Sequence, residues 1–199
     1  MYFLIFLQYF YTFFAAGAIL KKNPLDNTER VYFMSVTVHD HEFFMKKAIH
    51  QAKRAAALGE VPIGCVIVCD GKVIGRGFNR RLSSHSTLAH AEIIAIRQAC
   101  KKLGDWRLEG CTMYVTLEPC QMCSGACVQS RIDRVVIGAE NPKAGCAGSI
   151  VNLLQMSEFN HQVDIVRDVC AAECSALLTD FFRDMRTRER ENKAKEALD

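Results

Sequence analysis

Thr112-Met113-Tyr114-Val115-Thr116-Leu117-Glu118-Pro119-Cys120-Gln121-Met122-Cys123 is the stretch on which the reading of this chain turns. Its first half, Thr112 to Leu117, is built of β-branched and aromatic residues and predicts a strand; Pro119 interrupts it, and Cys120 to Ser130 reads as a helix. Cys120 and Cys123 stand three apart on one helical turn, so both sulfurs project from the same face and can reach one metal ion. Exposed N–H groups at the start of a helix stabilise negative charge, which poises both thiols to ionise.

The same strand-to-helix grammar extends in both directions. Upstream, Ile63 to Val68 and Lys72 to Phe78 flank the two-residue turn signal Asp70-Gly71 and predict a hairpin. A helix is expected from about Ala89-His90 to Gly104, and an earlier one from Asp40 to Gly59, where Phe44, Ala48, Ala52, Ala55 and Ala56 recur at helical spacing. Downstream, Arg134 to Ala139 and Val163 to Val166 read as strands, and a long helix begins at Ala171. A hairpin followed by strands alternating with helices implies an α/β fold, a mixed sheet covered by helices on both faces. No internal repeat or low-complexity tract interrupts it.

A chain of 199 residues, 50% of them hydrophobic, can bury a sizeable core but is short for two ordinary domains, so one globular domain with an attachment is expected. With 25 basic against 22 acidic residues, formal net charge is only +3, and attraction to nucleic acid must come from local clustering. Ten cysteines do not form a secreted disulfide pattern: Cys65, Cys69 and Cys111 lie in or beside apolar strand-like runs, where free thiols pack as small hydrophobes, and a reducing compartment is the expectation. Residues 1–38 form the attachment. Met1 to Leu20 is apolar and rich in Phe and Tyr, about long enough to cross a bilayer, lacks the basic start of a secretory signal, and is followed by Lys21 and Lys22. A dispensable extension upstream of a later start at Met34 is favoured, with a membrane anchor as the alternative. In both cases residues 39–190, the expected catalytic domain, and the charged tail 191–199 remain in the cytoplasm.

His90-Ala91-Glu92 opens the helix before the Cys-containing one. His90 supplies a third ligand, and no fourth candidate lies on the same turns, since Cys127 is a turn beyond Cys123 and is expected to pack inward. Three protein ligands and an open position mark a catalytic zinc site; four would mark a structural one. Zinc brings the pKa of a water in that position from 15.7 to about 7, a change of roughly 12 kcal/mol that no side-chain base supplies. Glu92 is expected beside the metal without ligating it, as the group that takes and returns protons. Each residue alone has an ordinary explanation: a helix-dipole glutamate, a packed histidine, a redox pair of cysteines. H-x-E at one helix start and P-C-x-x-C at the next strand-to-helix junction together form the arrangement of zinc nucleobase deaminases.

With those residues on the page, the chain resembles the cytidine-deaminase-like superfamily and, within it, the bacterial tRNA-specific adenosine deaminases. The resemblance spans His39 to Arg190 and includes Val61-Pro62-Ile63-Gly64, Gly77-Phe78-Asn79-Arg80, Thr116 to Ala126, Ser130 to Val136 and Asp180-Phe181-Phe182-Arg183. It implies a three-layer α/β/α sandwich with a five-stranded sheet, one zinc per subunit on His90, Cys120 and Cys123, Glu92 as proton shuttle, and a homodimer that converts the wobble adenosine of an arginine tRNA anticodon to inosine. It also implies that Asn79 contacts the flipped nucleoside and that Phe181 and Phe182 lie near the extruded loop bases. As a turn asparagine and a pair of core aromatics, these three have structural explanations of equal standing.

The chain departs from this pattern in two places. His85-Ser86-Thr87-Leu88 stands where relatives often carry Asp-Pro-Thr in the last three positions, and Asn141, before Pro142, stands where Asp is common. Asn141 is expected near the substrate strand, where an uncharged amide would demand a ribose 2′-OH less strongly than a carboxylate. A deaminase of a free base or nucleoside, of guanine or cytosine type, is the alternative. The Gly77 to Arg81 stretch, the Asp180 to Arg183 run and the basic residues Arg76, Arg80, Arg81 and Lys143 favour tRNA. A structural zinc module is disfavoured because it has no use for an unligated carboxylate at the metal.

Overall fold

The computed structural model describes residues 38–196. Five strands form one sheet: β1 (Gly64–Cys69), β2 (Lys72–Phe78), β3 (Cys111–Leu117), β4 (Arg134–Ala139) and β5 (Asp164–Val166). Their order is β2-β1-β3-β4-β5. β2 and β3 run antiparallel to β1, and the β3–β4 and β4–β5 pairs are parallel. The helices are α1 (Val38–Ala57), α2 (Ala91–Leu103), α3 (Gln121–Gln129) and α4 (Ala171–Glu196). The expected mixed α/β sandwich is present.

Strand alternation builds the two outer layers. On β1, Cys65 and Ile67 face one core with Met113, Val115, Val135 and Ile137, against which Ala91, Ala95, Ala99 and Cys127 of α2 and α3 pack. Val66 and Val68 face the other, with Tyr114, Val136 and Ala139, against Met45, Ala48 and Ile49 of α1 and Cys174 of α4. A period of two in the strands sends successive side chains to opposite faces, so each strand serves both cores.

Small residues set how closely α2 approaches the sheet. Ala91, Ala95 and Ala99 recur every four residues and are fully buried. Beneath them, a Cβ at Gly77 would run into the Ala91 carbonyl and one at Gly75 into that of Ala95. The backbone of β2 therefore touches the backbone of α2, which fixes where the first turn of α2, with His90 and Glu92, is delivered.

The hairpin turn is as expected, with Asp70 and Gly71 both at positive φ, 48° and 69°, the type I′ combination. α2 ends at Gly104, whose left-handed backbone (φ 73°) lets its N–H reach the Cys100 carbonyl. Elsewhere the element ends move by a residue or two. α1 begins at Val38 rather than Asp40, and β5 begins at Asp164. His90 and Cys120 are the N-caps of α2 and α3, not their first helical residues. A larger difference is the C-terminus: α4 runs through residues 190 and 191 to Glu196 without a break, so the stretch expected as a separate charged tail begins inside a helix. The hydrophobic segment 1–33 lies outside the described residues. No helix among the described residues is long and apolar enough to cross a membrane.

Candidate active site

Two helix starts meet at the C-terminal end of β3. His90 caps α2 with extended backbone (φ −78°, ψ 152°), and Cys120 caps α3 with the same (φ −74°, ψ 177°). Neither makes the usual side-chain capping bond, and the imidazole and the thiol turn toward each other. His90 Nδ1 lies 3.7 Å from Cys120 Sγ and 3.6 Å from Cys123 Sγ, and the three potential ligand atoms all fall within 4.8 Å of one another. Zinc bonds of about 2.3 Å to sulfur and 2.0–2.1 Å to nitrogen in a tetrahedron require N···S separations of about 3.6 Å. The trio fits that requirement. Cys127, the cysteine expected to pack inward, is fully buried and donates its S–H to Met113 Sδ at 3.7 Å.

Electrostatics within the trio also favour a cation. Hydrogen bonding from Cys123, and then from His90, holds the Cys120 thiol down to about 4. The same contact with Cys120, reinforced by burial, pushes Cys123 up, and the hydrogen bond with Cys120 raises His90. Two sulfurs and an imidazole thus compete for protons that a dication would displace, leaving both sulfurs as thiolates.

Glu92 stands two residues from His90 and is only 3% exposed. Burial pushes its carboxyl up, and Oε2 is buried with no hydrogen-bond partner. An orphaned buried carboxylate oxygen is costly unless a ligand supplies the missing contact. Facing a three-ligand trio, it is placed to exchange protons with whatever occupies the fourth position.

The rim is organised by two buried carboxylates whose role the sequence reading missed. Glu60, 1% exposed, accepts from Asn79 Nδ2 (3.1 Å), Leu82 N (3.2 Å) and Ser83 N (2.7 Å). It thereby ties the loop after β2 to the end of α1, and leaves Asn79 Oδ1 as that residue's remaining polar atom. Glu118, also 1% exposed, accepts from Asn141 N (3.1 Å), Ala147 N (2.9 Å) and Ser149 N (3.0 Å), and from the Ser149 hydroxyl. A Cβ at Gly145 would strike its carboxylate, so the loop closes around Glu118 only because residue 145 is glycine. Burial opposes ionisation of both groups, but the donors outweigh it and hold both carboxyls below the usual range. An isolated acid beside a proline at the end of an apolar run, as in Glu60-Val61-Pro62 and Glu118-Pro119, was the available signal: once buried, such an acid must collect donors.

The proposed substrate residues fare differently from one another. Asn79 is 5% exposed and sits at this rim. Asn141 does too, but its side chain is engaged in its own loop: Nδ2 donates to the Glu118 carbonyl at 3.4 Å and Oδ1 accepts from Ala144 N at 3.2 Å. Phe181 and Phe182 meet edge to face on α4, with centroids 5.5 Å apart. Among the described residues, no hydrogen bond or ring contact links that pair to the trio.

Known proteins resemble this chain over most of its described length. Residues 39–186 match the family model of the MafB19-like deaminases. The tRNA-specific adenosine deaminase of Bacillus subtilis (strain 168) is 52% identical over 149 residues, covering 75% of this chain and 92% of that protein. The enzyme of the same name from Streptococcus pyogenes serotype M18 is 42% identical over 157 residues, 79% of this chain and 99% of its own. A solved structure from studies of A-to-I editing by tRNA:A34 deaminases at the wobble position of transfer RNA superposes with a TM-score of 0.66. It is 42% identical and covers 68% of this chain and 99% of that one. The chain belongs to the MafB19-like deaminase family and, within it, to the tRNA-specific adenosine deaminases.

Proposed function

We propose that this chain hydrolyses the wobble adenosine of a tRNA anticodon, of an arginine tRNA by resemblance, to inosine and ammonia, and that it works in the cytoplasm as a homodimer with one zinc per subunit. The observation that carries the reading is the trio of His90, Cys120 and Cys123 with the partnerless Oε2 of Glu92 beside it. These three residues would hold zinc, which as a Lewis acid would lower the pKa of water so that it can lose a proton near neutral pH and attack an aromatic carbon as a nucleophile. Glu92 receives the proton of the attacking water, passes it to the ring nitrogen next to the reacting carbon, and carries the second proton to the departing amine. Oxygen is thus bonded to C6 as the C6–N6 bond breaks, and the protons balance as ammonia.

Asn79, with Nδ2 held by Glu60, offers Oδ1 to a donor of the extruded nucleoside. Asn141 borders the same opening through the loop it shapes, and Phe181 and Phe182 offer ring faces for the neighbouring loop bases. Exposed Ile150 and Val151, beside the Glu118-held loop, support a partner subunit covering this side.

The test is turnover by the zinc-loaded full chain on an arginine tRNA anticodon stem-loop, compared with adenosine, guanine and cytosine. Inosine formed in the stem-loop, with no comparable rate on free bases, is the expected result. A free base deaminated faster than the stem-loop would overturn the tRNA reading in favour of a base deaminase. Sedimentation of the full chain checks the dimer.

A further inference from the structure

Beside the site lies a groove of 610 Å³ along the outer edge of β2, walled by α1, α2 and the loop joining β2 to α2. Four of the side chains lining it are arginines, Arg54, Arg76, Arg80 and Arg97, and none is acidic. Among the described residues none of the four forms an ion pair. Arg54 donates to Gln51 Oε1 at 2.9 Å. Arg54 and Arg80 also lie over the Phe78 ring, with Cζ 4.6 and 6.0 Å from its centroid. Arg80 also feels the Glu60 carboxylate, but in a chain of formal net charge +3 four guanidinium groups around one concavity without an ion pair are a local excess, not a reflection of bulk composition.

Position and chemistry narrow the occupant. Arg80 directly follows Asn79, and Ala89, which lines the groove, directly precedes His90. The groove therefore begins where the proposed nucleoside contact ends. A peptide strand added to β2 is disfavoured, because the Arg76 N–H already donates to Gln98 Oε1 at 2.5 Å. A second copy docked by two-fold symmetry on this face would bring eight arginines together. An anionic polymer meets neither obstacle: guanidinium forks match phosphate oxygens, and the Phe78 face suits a ribose or base edge.

We infer that this groove binds the ribose–phosphate backbone of the RNA flanking the target base, with Arg54, Arg76 and Arg97 as phosphate contacts outside the catalytic pocket. The inference rests on the tRNA reading above and extends it to a second surface. Each phosphate neutralised releases counterions, so affinity carries a salt dependence of about −0.7 to −0.9 per contact in log K against log[salt].

The experiment compares the zinc-loaded full chain with R76A/R97A and R76K/R97K, measuring the affinity for an anticodon stem-loop across a salt series and, in parallel, its turnover. R107A is the control, an arginine beside Asp105 and Glu109 and away from the groove. The alanine pair is expected to weaken binding about tenfold and reduce the salt slope by about 1.5 units, with zinc content unchanged, while the lysine pair keeps the slope and R107A matches wild type. Unaltered affinity and slope in the alanine pair, with the stem-loop still deaminated by wild type, would overturn the groove and leave the tRNA reading intact. Groove-dependent binding without deamination would sustain the groove and overturn that reading. No binding by wild type would end both.

Discussion

The two halves of the active site are built on different principles. The metal side comes from two helix starts, and its parts are local: His90 and Glu92 are two residues apart, and Cys120 and Cys123 three. The substrate rim consists of loops without regular structure, each pinned by a carboxylate far along the chain. Asn79 lies 19 residues from Glu60, and Ala147 and Ser149 lie 29 and 31 from Glu118. Chemistry thus sits on two short motifs whose helix starts meet across 30 residues of chain, whereas the shape of the rim is imposed by single carboxylates that collect backbone donors from irregular loops. A substitution on the metal side should abolish the reaction outright, and one at the rim should alter its efficiency and selectivity.

The largest expected effect follows from the metal side. Cys120→Ala or Cys123→Ala leaves two ligands, and both zinc content by metal analysis and activity should fall to background. Glu92→Gln should separate the two properties: zinc is retained, while turnover drops by about 10²–10⁴-fold, the usual contribution of a positioned acid–base group. A Glu92→Gln enzyme with near-wild-type turnover would remove Glu92 from proton transfer. Full zinc occupancy in either cysteine variant would show that a different thiol completes the site.

This contrast also explains what was legible in the sequence. The elements and the hairpin turn at Asp70-Gly71 could be read because each depends on residues within a few positions of one another, and the trio, though its halves lie 30 residues apart, because each half is a short motif, H-x-E and P-C-x-x-C, and the two together form a known arrangement. The partners of Glu60 and Glu118 could not. Their function is defined by backbone N–H groups of distant loops, and nothing in the composition of those loops records which carboxylate they will meet. The C-terminus is a case where the local pattern carries a helix but no end for it. The mixed charge after Arg183 reads as a solvated helix, and the i,i+3 pair of Asp180 with Arg183 at 2.8 Å is of the kind that supports one; the near balance of charge contains no signal at residue 191 where α4 could stop, and it runs on to Glu196.

At the rim, Glu60→Ala should retain zinc yet lower kcat/KM about tenfold, mainly by freeing the Asn79 amide. It should also cost about 2 kcal/mol of stability, because the N–H groups of Leu82 and Ser83 lose a charged acceptor. A variant as stable and active as wild type would show that the loop holds itself. The two carboxylates also set an acid limit. Their folded-state pKa values lie below the unfolded ones, so their contribution is complete above the ordinary carboxylate value near pH 4 and is lost as pH falls through the folded values. Thermal melting between pH 7 and pH 3 should show wild type losing stability more steeply than E60Q/E118Q, whose amides cannot titrate. Parallel curves would assign the acid limit elsewhere.

The smallest expected effect, and the sharpest test of the boundary between the two halves, is at Asn141. Its amide uses both polar atoms within the loop, accepting from Ala144 N and donating to the Glu118 carbonyl, while its backbone N–H serves the Glu118 carboxylate. Asn141→Asp preserves the first contact, loses the second and sets a like charge beside Glu118. At 3.4 Å the lost bond is long, so its own share of the stability cost should stay below about 1 kcal/mol, with the repulsion from Glu118 added to it. The new carboxylate repels phosphate from any nucleic acid, but it can accept from a ribose 2′-OH, which only RNA offers in compensation. The RNA-to-DNA turnover ratio on matched anticodon loops should therefore rise about threefold to fivefold in N141D, the equivalent of one modest hydrogen bond. An equal ratio in both proteins would mean that Asn141 acts on the substrate only through the turn it shapes, and that sugar discrimination resides with Asn79 and its Glu60 anchor.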